Sequence, residues 1–152
     1  MRTVKITEVG PRDGFQNIKE FIPTEFKIEL IERLIKTGLK RIMITSFMSP
    51  KAIPQLRDAK EVCASILPRY HETEFFALTP NRRGVADAWD AGLRSIAYVI
   101  SVTESHNKAN LNRSVDTSFE DLARIREEFP EMNICLDVAT AFGCPFEGVT
   151  SL

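Results

Sequence analysis

The feature that most constrains this chain is an alternation of two periodicities. Segments apolar at successive or alternate positions are followed by segments apolar at positions three and four apart, and the pair recurs at about 30-residue intervals. Thr3–Val9 reads as a strand. Pro23-Thr24 opens a helix with Thr24 as N-cap, and Phe26, Leu30, Ile31, Leu34 and Ile35 form its apolar face. Gly38 is placed to close that helix in the left-handed conformation. Lys40–Phe47 reads as the second strand, and its unbroken Ile42-Met43-Ile44 centre predicts cover on both faces. The pattern repeats with a helix that lines up Leu56, Ala59, Cys63 and Ile66 on one side. A strand over Glu74–Leu78 and a short helix over Arg83–Ala91, ended by Gly92, come next. After them come a strand over Arg94–Ser101, a helix over Asp116–Phe129 with Thr117 and Glu120 as a capping box, and a strand over Asn133–Val138. Strands followed by helices in this order dictate parallel pairing.

The segments that follow strands, Gly10–Pro23, Met48–Gln55 and Val102–Asp116, are long and polar, and the return segments are short. Long loops at one end are where a (β/α) barrel builds its active site. An open doubly wound sheet shows the same alternation, but usually with a Gly-rich phosphate loop after its first strand, and none stands here. Charge narrows the partners. Lys and Arg number 20 against 21 Asp and Glu, a balance that argues against nucleic acid. No apolar run approaches the roughly 20 residues of a membrane span. Three cysteines, without a CxxC pair and without a leader-like opening, predict a cytoplasmic protein rather than a disulfide framework.

The loops hold the chemistry. In Glu8–Asn17, Arg12 and Asp13 stand side by side at a strand's C-terminal end, between the turn-forming pairs Gly10-Pro11 and Asp13-Gly14. A carboxylate there can bind Mg²⁺ or Mn²⁺, and a guanidinium can grip an oxyanion or carboxylate. The same two residues also fit a solvated surface turn. Ser46 is a candidate donor to a bound carboxylate, and Lys51 a candidate to steer an anion. In the third loop His106 can be an acid, a base or a ligand, or a plain hydrogen-bonding loop residue. His71, at the other end, reads as surface. Cys144 reads as a small residue packed under a loop, and Cys63 and Cys135 as core.

Taken together and in order, "EVGPRDGFQN", "TSFMSPKAIPQL", "ALTPNRRG", "SVTESHNKANLNRS" and "AFGCPFEG" resemble the N-terminal half of the hydroxymethylglutaryl-coenzyme A lyase family, within the metal-dependent lyase and Claisen-synthase superfamily. The resemblance covers essentially all 152 residues. It implies an α/β fold of the (β/α)8 TIM-barrel type, truncated to about five parallel strands and four helices, with residues 1–152 as a single partial-barrel domain that lacks the family domain's C-terminal part. It implies a divalent metal, Mg²⁺ or Mn²⁺, and an acyl-CoA substrate of the 3-hydroxy-3-methylglutaryl type, cleaved in a retro-Claisen step to acetyl-CoA and a 3-keto acid. In that scheme Asp13 ligates the metal and Arg12 stabilises the enolate oxygen. Gln16 contacts the substrate or orders the loop, and Ser46, Lys108, Asn110 and Asn112 lie near the substrate or its coenzyme A arm. The second and third loops favour the lyases over the Claisen-condensing acyl-CoA synthases that share the opening motif.

Two departures qualify what the resemblance implies. The family carries a glutamate on the second strand that partners the arginine, and this chain has Met43 there. The family also completes its metal site with a His-x-His pair and an asparagine on later strands, and supplies a catalytic cysteine near the barrel's end. This chain has no His-x-His, and Cys144 matches a different family position. The 152-residue chain on its own is therefore expected to show no appreciable lyase activity, and its open sheet edges to favour self-association. A non-catalytic partial-barrel interaction module is the remaining alternative.

Overall fold

Strands that expect cover on both faces find it in a computed structural model, which describes residues 4–150. Among the described residues, six helices and four strands follow one another along the chain. They are α1 (Gly10–Gln16), α2 (Thr24–Lys36), β1 (Arg41–Ser46), α3 (Ala59–Ile66, after a 3₁₀ turn at Pro54–Leu56), β2 (Glu74–Thr79), α4 (Arg82–Asp90), β3 (Ser95–Ser101), α5 (Glu104–Leu111), α6 (Val115–Glu128) and β4 (Asn133–Ala139). The strands pair in parallel in the order β1-β2-β3-β4, the order of the chain. A register shift between Met43 and Thr45 marks a bulge in β1. Among the described residues no helix is long and apolar enough to cross a membrane.

The two faces of the sheet differ. Ile42, Ile44, Phe75, Ala77, Ile96, Tyr98 and Ile100 point to the helix layer, where Ile31, Val62, Cys63, Ile66, Val85, Ala88 and Ile125 complete the main core. Met43, Phe76, Leu78 and Ala97 point the other way, joined by Val9, Met48 and Val99, and form a smaller cluster on the inner wall of a cup. Gly38 and Gly92 close α2 and α4 at φ of 90° and 92°, a backbone conformation that costs glycine nothing.

Four expectations need correction. The first expected strand is reduced to one bridge: Glu8 pairs with Ile42, its N–H donating to the Arg41 carbonyl at 3.0 Å and its carbonyl accepting from Met43 at 2.8 Å. Val4 and Ile6 are 85% and 69% exposed, along the open hollow at the start of β1, and Thr3 lies outside the described residues. The sheet therefore has four strands rather than five.

Two of the expected loops contain helices, so there are six helices rather than four. α1 forms because Pro11 falls in the first turn, where its missing N–H is not needed, and because the Val9 carbonyl accepts from both Arg12 and Asp13. α5 forms around Asn107, described below.

The third correction concerns helix starts. Thr24 does not cap α2; its hydroxyl donates to Asp58 at 2.8 Å. α6 is capped by Ser114, whose oxygen accepts from the Thr117 N–H at 3.1 Å, not by a Thr117–Glu120 box.

The fourth concerns phase. α2 buries Lys27, at 2% exposure, in line with Ile31, Leu34 and Ile35, and leaves Phe26 54% exposed. Lys27 tolerates this because its Nζ donates to both Asp58 oxygens, at 2.7 and 2.9 Å, and to the Gln55 carbonyl at 2.5 Å. Cys135 is likewise exposed rather than core: it sits on β4, whose far side has no neighbouring strand among the described residues.

Candidate active site

The cup's mouth is built by the ends of the strands and the helices that follow them. α1 starts immediately after the Glu8 bridge, so Arg12, Asp13 and Gln16 are carried on one short helix above the inner wall. All three line a cavity of about 440 Å³ with Met43 of β1, Leu78 of β2, Val99 of β3 and Asp137 of β4. Asn110 and Leu111 of α5 form its far rim, with Met48 and Pro80 between. The arginine and aspartate therefore turn toward the cup, not into bulk solvent. They are ion-paired with each other, Arg12 mostly covered at 17% and Asp13 at the rim at 45%. Arg12 Nε is buried and has no acceptor.

The other candidates are distributed. Asn112 caps α5 in the left-handed conformation (φ 54°), its N–H donating to the Lys108 carbonyl at 2.8 Å. It lines an adjoining cavity that shares Met48, Pro80, Asn110 and Leu111 with the first. Ser46 is buried with an unpartnered hydroxyl, and lines a separate hollow beside Phe47, Leu56 and Asp87, away from Arg12. Lys108 is exposed on α5 and lines neither cavity. The structure thus brings Arg12, Asp13, Gln16 and Asn110 together, places Asn112 next door, and leaves Ser46 and Lys108 outside. Lys51 and Arg83 line a groove between the β1 and β2 loops. A hollow of about 630 Å³ at the opposite end, between residues 4–6 and the start of β1, is reached by none of the candidates.

What aims α5 at the cup is Asn107. Fully buried, it accepts from the Ser101 N–H at 3.0 Å, and its amide donates to the carbonyls of Arg113 and Ser114 and to Ser118 Oγ. Arg113 then ties the loop to its neighbours, donating to the Pro80 carbonyl, the Tyr98 hydroxyl and Asp121. Burial pushes the Tyr98 hydroxyl's pKa well up, and its hydrogen bond to Asp121 adds to this. His106 is carried on α5 rather than in a loop, its Nδ1 2.8 Å from Ser101 Oγ, and His71 is exposed. Cys144 is packed under the last loop and accepts from Thr103 Oγ1 at 3.1 Å. Burial raises its thiol pKa, and the hydrogen bonds of Thr103, the Phe146 and Glu147 backbone and Ser105 outweigh that, so the net direction is down.

Asp137 was not among the candidates, although the signal was available: alternation along β4 puts it with Cys135 on the inner face, opposite Val99. Burial raises its pKa, while Cys135 and the charges of Arg41 and Arg12 pull it back.

Among the described residues no group of three His, Cys, Asp or Glu side chains stands close enough to hold a metal ion. Hard divalent cations take about six oxygen ligands, so the Asp13 carboxylate by itself does not make such a site.

The HMGL-like family model matches residues 3–151. This chain belongs to the HMGL-like family. It is 41% identical over 148 residues to hydroxymethylglutaryl-CoA lyase YngG of Bacillus subtilis, covering 96% of this chain and 49% of that one. It is 42% identical over 147 residues to the cytoplasmic 3-hydroxy-3-methylglutaryl-CoA lyase of Homo sapiens, covering 95% and 40%. Mitochondrial forms are also among its relatives. In three dimensions it superposes on an HMG-CoA lyase from Acinetobacter baumannii, in complex with coenzyme A and 3-methylmalate, with a TM-score of 0.91 and 40% identity, covering 97% of this chain and 48% of that one. The HMG-CoA lyase of Bacillus subtilis gives a TM-score of 0.89. The HMGL-like chain spans about half the length of the curated relatives it matches. Its four parallel strands are correspondingly part of a TIM-type barrel.

Proposed function

We propose that residues 1–152 are a single partial-barrel domain carrying the N-terminal part of a retro-Claisen lyase active site, one that cleaves a 3-hydroxy-3-methylglutaryl-type acyl-CoA to acetyl-CoA and a 3-keto acid. The observation that carries this is the placement of Arg12 and Asp13 side by side over the cup, with the guanidinium covered and turned inward. The relatives' names supply the substrate class, and the coenzyme A bound in the Acinetobacter structure supports an acyl-CoA.

In the reaction the C2–C3 bond breaks as the C3 hydroxyl loses its proton and becomes a carbonyl. The bonding pair moves into the thioester, which becomes an enolate and takes a proton at carbon. Arg12 is the catalytic residue, since its positive charge sits where negative charge develops on the thioester oxygen, and so favours the transition state over the ground state. Asp13 supplies one metal ligand. Mg²⁺ or Mn²⁺, when bound, lowers the pKa of the substrate hydroxyl. Gln16 and Asn110 face the same cavity and orient the substrate, with Asn112 beside its coenzyme A arm. Ser46 and Lys108 are assigned to substrate binding only by their motif positions. The protein is placed in the cytoplasm, and the exposed β4 edge is a surface for self-association.

The test pairs the purified chain with a polypeptide that provides the C-terminal half of the B. subtilis relative, in Mg²⁺ or Mn²⁺ with the thioester. The chain alone is expected to release no acetyl-CoA. The pair is expected to release it, with a loss of about 10²–10³ in rate for Arg12→Gln and abolition by Asp13→Ala. Release that survives Arg12→Gln overturns the assignment. Release by the chain alone, abolished by Asp13→Ala, shows the site to be complete without the second half.

A further inference from the structure

The cavity beneath α1 has two carboxylates in its lining, and the reading above uses only Asp13. Asp137 projects from the inner face of β4, where solvent reaches it from the open side of the cup. Its own strand offers only the weak donor Cys135 Sγ, 3.9 Å from Oδ1. The facing residue on β3, Val99, is apolar. Arg12 of α1 lines the same cavity, and the positive charges of Arg41 of β1 and of Arg12 both favour the ionised form of Asp137.

The two arginines differ in how they are satisfied. Arg41 is engaged: it pairs with Glu74 at 3.2 Å, lies over the Phe76 ring at 4.3 Å, and donates to the Thr7 hydroxyl. Arg12 has one ion-pair partner, its neighbour Asp13, and its Nε–H is buried and unmet. A buried donor with no acceptor is costly, and so is a covered charge that loses its partner. Arg12 therefore cannot both depend on Asp13 and leave that carboxylate free to bind anything else. From β1 no anion is available, because the side chain that faces this cavity is Met43.

We infer that Asp137 is the positioning residue for Arg12: a carboxylate fixed on a strand that takes up the Arg12 Nε–H and keeps the guanidinium turned into the cup while Asp13 serves the rim. This rests on the reading of the cavity as an acyl-thioester site. Asp137 acts through Arg12 and does not itself touch the reacting atoms.

The test needs no turnover. In the ¹⁵N-labelled 152-residue chain, the Arg12 Nε–H resonance, assigned by its absence in Arg12→Gln, is expected to be protected from solvent exchange. Asp137→Asn, which removes the charge and keeps the shape, is expected to make that exchange about tenfold faster, with the backbone amide spectrum otherwise preserved. Adding Met43→Glu to Asp137→Asn supplies a carboxylate to the same cavity from β1 and is expected to restore protection. Exchange unchanged in Asp137→Asn overturns the inference, as does an Arg12 resonance that is unprotected in the wild-type chain. Protection lost in Asp137→Asn and not regained with Met43→Glu also overturns it, because shape and not charge would then be what residue 137 contributes. Acetyl-CoA release by the reconstituted pair that survives Arg12→Gln would sink the proposed function and leave this result standing.

Discussion

Replacing Lys27 by methionine breaks the one ion pair among the described residues in which both partners are nearly sealed from water. Lys27 is 2% exposed and Asp58 6%, and the ammonium reaches both carboxylate oxygens and the Gln55 carbonyl. Methionine keeps the stem and removes the charge, so the loss is electrostatic rather than a cavity. Removing one member of a buried pair costs about 3–5 kcal/mol, because the other is left as an uncompensated charge. Asp58 keeps one donor, the Thr24 hydroxyl at 2.8 Å, which places Lys27→Met at the lower end, about 3 kcal/mol. Against a total stability of about 5–15 kcal/mol this is a large fraction. At about 2–4 °C per kcal/mol for a chain of this size, the melting temperature falls by roughly 6–12 °C. Urea and thermal unfolding followed by far-UV circular dichroism measure it. The double variant Lys27→Met/Asp58→Leu removes both charges and is expected to lie within about 1 kcal/mol of wild type. A loss below about 1 kcal/mol in Lys27→Met, or a double variant as unstable as the single, refutes the reasoning. The consequence extends to the site, because Gln55 also donates to the Ile18 carbonyl at 2.6 Å, just beyond the helix that carries Arg12.

Asn107→Ala takes their Asn107 partner from the Ser101 N–H and the Arg113 carbonyl, at about 1–3 kcal/mol for each group not rescued by water, while the Ser114 carbonyl keeps the Ser118 N–H and hydroxyl, and hydrogen exchange is expected to quicken first along α5. The cysteines are expected to separate under a thiol reagent: exposed Cys135 reacts in the folded chain, and Cys63 reacts only on unfolding. Burial pushes the Cys63 thiol up to about 12 from its ordinary 9.0, so above that ordinary value the unfolded chain gives up a proton that the folded chain keeps. Its contribution to stability is therefore complete below pH 9 and is lost as pH rises toward 12, a dependence that Cys63→Ala removes from the alkaline limb of a pH–stability curve.

Much of the architecture was legible because burial on both sides leaves a plain mark. Ile42-Met43-Ile44 and Ile96–Ile100 could only be covered strands, and Gly38 and Gly92 ended their helices where a left-handed residue was needed. What was missed follows from physics that local pattern does not encode. The burial of Lys27 leaves no mark in the local pattern, because its partner lies 31 residues away. Val4 and Ile6 had the right alternation, but a strand also needs something to lie against. Pro11 and Gly14 read as turn residues, although the first is well suited to a helix's opening turn. At the site, the adjacency of Arg12 and Asp13 was visible and Asn110 followed from the family resemblance of its loop, whereas Ser46 points into a different hollow. Asp137 was overlooked because the strand was read for its apolar residues.

The unequal clusters on the sheet's two sides divide the work of this polypeptide. The helix side closes with residues of its own, from Ile31 through Ile125, while the concave side has a single wall of Met43, Phe76, Leu78 and Ala97. Substitutions in the first layer should therefore register as changes in how firmly the molecule holds together, and those in the second as changes in what it can grip. Such a separation lets a concave lining drift, as at Met43, without endangering the scaffold behind it.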